Sequence, residues 1–310
     1  MKIQFVFTVL LLGLITFTGY AQQDPQYTQY MYNMNIVNPA YAGSRGTLSI
    51  GVLGRTQWVG LDGAPKTVTF SAHAPVGRNL SAGFSAIADR HSIVKEQNLY
   101  ADLSYTLTTS EEGRLAFGVK GGVTLFDIGL LSQTDLPQTV PGIDRLFSDD
   151  LHELFPNFGA GAYYYTDKFY VGLSVPNILE TKHLEKKDGT FSKASEKMHF
   201  FLTTGYVFQL SENTKFKPSI MAKGVYGSPV SIDMSANALF NERLEFGLNY
   251  RWDDSIGALV NFGFTPDLRI GFAYDYTISN LGKYNNGTYE AFLLWDIDFS
   301  KKNLKSPRFF

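Results

Sequence analysis

The residues best suited to chemistry in this 310-residue chain lie in one run, Asp149-Asp150-Leu151-His152-Glu153, with Asp144 and Arg145 just before it. Oxygen-rich side chains of this kind can hold calcium. The run lacks the spaced ligands of an EF-hand loop, so it reads as a solvated acidic loop. The five histidines, His73, His91, His152, His183 and His199, are scattered. No H-E-x-x-H pair, G-x-S-x-G elbow or phosphate-cradling glycine loop occurs. Gly83-Phe84-Ser85-Ala86 has the wrong spacing for a nucleophile elbow and falls inside an extended segment. The absence of Cys removes disulfides, thiolate metal sites and Cys nucleophiles. No catalytic residue, cofactor site or metal site is assigned, and the expectation is a protein that is not an enzyme.

The charges become informative once the elements that position them are drawn. From residue 47 onward the chain is a series of short alternating segments: 47–58, 66–75, 79–90, 97–109, 114–127, 157–166, 168–176, 198–210, 215–226, 230–240, 244–252, 255–264, 268–277 and 288–299. The segment 268–277 alternates most cleanly. Leu268, Ile270, Phe272, Tyr274 and Tyr276 face one way, and Arg269, Gly271, Ala273, Asp275 and Thr277 the other. These fourteen strands run about 9–13 residues, against a mean of roughly 5–6 in soluble domains. A tilted strand crossing a bilayer needs about 9–11.

The connections sharpen the choice. Short ones (76–78, 110–113, 167, 211–214, 241–243, 265–267) alternate with longer ones, notably 128–156, 177–197 and 278–287, with 59–65 and 91–96 of moderate length and 227–229 and 253–254 as short exceptions. Short turns on one side and long loops on the other are the rule for outer-membrane barrels. The fold expected is therefore all-β, a 14-stranded antiparallel transmembrane β-barrel over residues 46–299 whose outer face meets outer-membrane lipids. With an even number of strands, both termini are expected on the periplasmic side. The alternation points Arg55, Lys120, Lys223, Asp233, Glu245, Arg251, Arg269, Asp275 and Glu290 into the lumen, where opposite charges would pair and fill it.

Residues 1–21 read as a cleaved signal peptide: Lys2, an uncharged apolar run from Ile3 to Phe17, and small Gly19 and Ala21 before Gln22. Its removal takes one of the 27 Lys+Arg, leaving 26 against 29 Asp+Glu. That balance gives no reason to expect nucleic acid as a partner.

Residues 22–45 form a sticky segment with Tyr27, Tyr30, Tyr32 and Tyr41 among amides, broken by Pro25 and Pro39 and followed at once by the first strand. It is expected on the periplasmic side, tucked into the lumen as a plug that couples lumen and periplasm through Tyr27, Tyr30, Tyr32, Asn38, Pro39 and Tyr41. The tail 300–310, ending Pro307-Arg308-Phe309-Phe310, is expected in the periplasm.

Three stretches carry a family resemblance. They are Asp24 to Asn33 running into Asn38-Pro39-Ala40-Tyr41-Ala42-Gly43-Ser44, the run Phe155 to Asn177, and the ending Ser306 to Phe310. Together the chain resembles the PorP/SprF family of Bacteroidota outer-membrane proteins over essentially its whole mature length. The resemblance implies a barrel of the type IX secretion system and, in some members, of gliding motility. It further implies export or surface anchoring of a cargo protein with a type B C-terminal domain, and contact with the periplasmic PorK/PorN ring or a peptidoglycan-binding partner. The alternative reading of the barrel alone is an outer-membrane channel or transporter for small hydrophobic solutes.

Overall fold

The computed structural model describes residues 26–128, 151–179, 182–183, 194–195, 198–226 and 228–299. Within them the wall strands are β1 (Leu48–Thr56), β2 (Lys66–Pro75), β3 (Leu80–His91), β4 (Val94–Thr108), β5 (Arg114–Ile128), β6 (Leu151–Tyr165) and β7 (Phe169–Val175). They continue as β8 (His199–Tyr206, resuming as Phe208–Ser211), β9 (Thr214–Val225), β10 (Ser231–Phe240), β11 (Leu244–Arg251), β12 (Ser255–Gly263), β13 (Leu268–Thr277) and β14 (Thr288–Ile297). Each pairs antiparallel with its neighbours in sequence, and β1 pairs with β14 from Leu48↔Ile297 to Thr56↔Tyr289. The sheet thus closes as a barrel of fourteen strands with no free edge, the condition for satisfying a strand's backbone in hydrocarbon.

Side-chain alternation explains why the barrel forms this way round. In β12, Ser255, Gly257, Leu259, Asn261 and Gly263 are buried while Ile256, Ala258, Val260 and Phe262 face out. The same inversion runs round the wall. Leu103, Phe117 and Leu248 are more than half exposed, whereas Ser85, Asn98, Asp102 and Thr124 are buried. Water would penalise that arrangement; lipid outside and a packed polar interior require it.

The ends of the barrel differ. At one, turns such as 241–243 join the strands, and β1 begins and β14 ends there. At the other lie the connections β1–β2, β5–β6, β7–β8 and β13–β14. We refer to these as the turn end and the loop end. Three connections depart from expectation. The 91–96 connection is a two-residue turn, because β3 and β4 stay paired to His91↔Val94. The 128–156 connection shrinks to 129–150, because β5 and β6 pair to Ile128↔Leu151. His152 and Glu153 therefore belong to a strand, and His152 Nδ1 meets Asp127 across the hairpin. Within 177–197, Lys182–His183 pairs with Ala194–Ser195.

β8 is interrupted at Val207. Continuing its register places Pro218 of β9 opposite Tyr206, and Pro218 has no N–H for the ladder. Val207 instead donates its N–H to the carbonyl of Lys168 at 2.8 Å.

The inner segment, residues 26–46, follows a course the sequence reading did not anticipate. Gln26 Nε2 donates to Ser231 Oγ at 3.2 Å, at the loop end of β10. Arg45 meets Asp296 at 2.6 Å, at the turn end of β14. The described chain thus starts at the loop end and runs to the turn end before β1 begins. The sequence reading expected this stretch on the periplasmic side and tucked into the lumen, and did not place its start at the loop end. Its partners are spread along the wall: Glu290 accepts backbone N–H groups near the loop end, Ser174 and Ser104 donate to backbone carbonyls, and His73 accepts the Gly43 N–H toward the turn end. The signal peptide (1–21), residues 22–25 of the 22–45 segment and the tail 300–310 with Pro307, Arg308, Phe309 and Phe310 lie outside the described residues.

Candidate functional site

The segment has no ladder of its own. It consists of a 3-10 turn (Tyr30–Tyr32), one helical turn (Met34–Val37) and a second 3-10 turn (Pro39–Tyr41). Pro39 stands at the first position of that turn, and the Asn38 side chain accepts the Ala40 N–H at 3.0 Å. An irregular, buried backbone must find its hydrogen bonds elsewhere. Among the described residues, ten of the fourteen strands supply them or bond a side chain of the segment.

Near the loop end, Glu290 of β14 accepts the Thr28 N–H at 3.0 Å and the Gln29 N–H at 2.8 Å. Arg55 of β1 lies 2.9 Å from Glu290 and 3.2 Å from Asp275 of β13, and donates to the Thr28 hydroxyl at 3.0 Å. Arg251 of β11 pairs with Asp233 of β10 at 2.7 Å. In mid-barrel, Lys120 of β5 lies 3.2 Å from Asp102 of β4 and donates to the Asn35 carbonyl at 3.3 Å. Asn35 Nδ2 donates to Asp102 at 3.0 Å. Toward the turn end, the Tyr32 hydroxyl donates to Glu245 of β11, which also pairs with Arg269 of β13 at 3.2 Å. The Tyr32 ring stacks on Phe292, centroids 4.4 Å apart.

The turn around Asn38 lies closest to the wall. Asn38 Nδ2 donates to the Ala162 carbonyl at 3.1 Å, Ser174 donates to Val37 at 2.8 Å and Ser104 to Ala40 at 3.1 Å. Two glycines make this approach possible. A Cβ on Gly118 would stand 2.2 Å from the Ala40 nitrogen, and one on Gly161 would stand 2.1 Å from Asn38 Oδ1. Tyr41 packs edge-on against His73 and against Tyr163, both at 5.4 Å. Gly43, at φ +73°, turns the chain and donates its N–H to His73 Nδ1 at 3.1 Å.

The structure therefore buries Tyr27, Tyr30, Tyr32, Asn38, Pro39 and Tyr41 together in one cluster and its surroundings. Arg55, Lys120, Glu245, Arg251 and Asp275 are buried on the inner face, and Arg269 is half-buried beside Glu245. The sequence reading did not single out Arg45, Asp296, Asp102 or Lys217 as site residues. Asp102 and Asp296 occupy inward positions of alternating segments, and that signal was sufficient to find them. Arg45 carries no comparable signal. Among the described residues, no group of three His, Cys, Asp or Glu side chains could hold a metal ion.

Comparison with known proteins adds the following. The family described as Type IX secretion system membrane protein PorP/SprF matches residues 19–295. No match is found among curated proteins. Similar solved structures include the Acinetobacter baumannii outer membrane protein Omp33, at 10% identity and TM-score 0.48, covering 82% of this chain and 100% of that one. A Pseudomonas aeruginosa FadL homologue has 12% identity and TM-score 0.45, covering 89% and 95%. The P. putida toluene transporter TodX has 11% identity and TM-score 0.46, covering 86% and 94%. At these scores they carry no argument about function. On the family match, spanning the entire described wall but its last two strand residues, this chain belongs to the PorP/SprF family of type IX secretion system membrane proteins.

Proposed function

We propose that this protein is a non-enzymatic outer-membrane barrel of the type IX secretion system that supports export or surface anchoring of one cargo protein bearing a type B C-terminal domain. The loop end faces outward and presents the long connections to that cargo. The turn end faces the periplasm, where the tail meets the secretion ring or a peptidoglycan-binding partner. The inner segment acts as a plug, so the barrel works as a scaffold and not as a pore.

The observation that carries this reading is the inner segment itself, bonded to ten strands by groups from one end of the lumen to the other. A channel for small hydrophobic solutes would need an apolar passage. The charged, hydrogen-bonded interior argues for the scaffold. The test is a deletion strain compared with its parent by surface proteomics. One surface protein should disappear from the envelope while other secretion continues. Normal display of every surface protein would overturn the proposal.

A further inference from the structure

A cavity of about 740 Å³ opens at the loop end, above the start of the inner segment. It is within the size range of small-molecule sites. Its walls combine two kinds of surface. Trp58 and Trp252 are its aromatic lining residues, and Gln26, Gln57, Asp62 and Arg251 are among its polar ones. The lining residues come from five separate stretches of the chain that the closed barrel brings together.

The polar groups are of both hydrogen-bonding senses. Arg251 is 3% exposed and already bonds Asp233 and Asp254, yet its Nη2 has no hydrogen-bond partner among the described residues. The carboxylate of Asp62 and the side chain of Gln57 likewise make no hydrogen bond within the described residues. The other two carboxylates that line the cavity are engaged: Asp89 by Thr67 and His91, and Asp254 by Arg251 and Ser255. The site is therefore not a pool of free negative charge that would select a cation. It is a mixed set of donors and acceptors beside two tryptophans.

We propose that this vestibule binds a saccharide of one or two rings. A pyranose has the matching two-sided chemistry. Its C–H face stacks on an indole, and its hydroxyls, each both donor and acceptor, bridge accessible groups such as the Gln57 amide and the Asp62 carboxylate. The backbone is held in the left-handed region at Trp58 (φ 45°), Ser92 (φ 52°) and Asp253 (φ 58°), all at this rim. Such conformations persist where the surroundings fix them.

Tryptophan fluorescence reports the site directly, because two of the three tryptophans line it and the third, Trp295, faces outward. The full chain carrying Trp295→Phe, in lipid nanodiscs, is titrated with glucose, galactose, maltose, cellobiose and diacetylchitobiose, and separately with pentalysine. A saturable change at low-millimolar concentration is expected for at least one sugar. It should be absent in Trp58→Ala and about tenfold weaker in Asp62→Asn. Asp62 is exposed, so that variant leaves the wall intact, and heat-dependent gel mobility checks the folding of both. No saturation by any of the sugars at tens of millimolar would overturn the proposal. So would a response undiminished in both variants, or saturation by pentalysine alone.

Discussion

Glu290 ties the wall to the segment. Its two oxygens accept the N–H groups of Thr28 and Gln29 and also face Arg55. Removing it leaves two buried donors unmet and takes one of two carboxylates from a buried guanidinium. Glu290→Ala should therefore cost about 2–4 kcal/mol, and Glu290→Gln, which keeps one acceptor, should cost less. Urea unfolding in vesicles measures this as a lowered midpoint; a midpoint equal to the parent's would show that these bonds do not hold the segment. The residues of this network were legible to the extent that they sit on alternating strands. Arg55, Glu245 and Asp275 could be placed inward from spacing alone. Arg45 could not, because a turn residue between two glycines has no period to place it.

At the scale of elements, the strands were the most legible part and their upper ends the least. The polarity pattern of β4 and β6 stops short of their backbone pairing at the loop end. Val94-Lys95-Glu96 no longer alternates by polarity, although its ladder continues. A reading based on polarity therefore starts β4 at residue 97 and β6 at 157, while backbone pairing begins at 94 and 151. The course of the inner segment was hidden for another reason: its contacts join residues more than two hundred apart, as in Gln26 with Ser231. One clue was present. Leu53, Phe292 and Leu294 point inward against the polar-inside pattern, and they do so because aromatic and methionine side chains of the segment cover them. The glycine seat gives the element-scale prediction. Valine at Gly118 and Gly161 would collide with the turn at Asn38–Ala40, an overpacking cost of about 1–3 kcal/mol that the segment escapes by leaving its seat. In planar bilayers the parent should be silent and the double variant should conduct intermittently. A silent double variant with normal strand content by circular dichroism would show that the seat is not what seals the lumen.

For the whole molecule, orientation is open to direct measurement because the chain has no Cys of its own. With the loop end outward, Gln26→Cys should react with a membrane-impermeant maleimide in intact cells. Arg78→Cys, exposed in a turn at the other end, should react only after the outer membrane is permeabilised. The opposite pattern would invert the proposed orientation. The path from Gln26 to Arg45 also bears on biogenesis. The segment is tethered at the turn end, through Arg45 and the start of β1, so its free tip is what must travel up the lumen. A tip still joined to a leader held in the inner membrane cannot make that journey. With cleavage expected before Gln22, proteolytic maturation has to come first and filling of the barrel second. On that expectation, a precursor that keeps residues 1–21 would close its wall and leave the lumen unfilled.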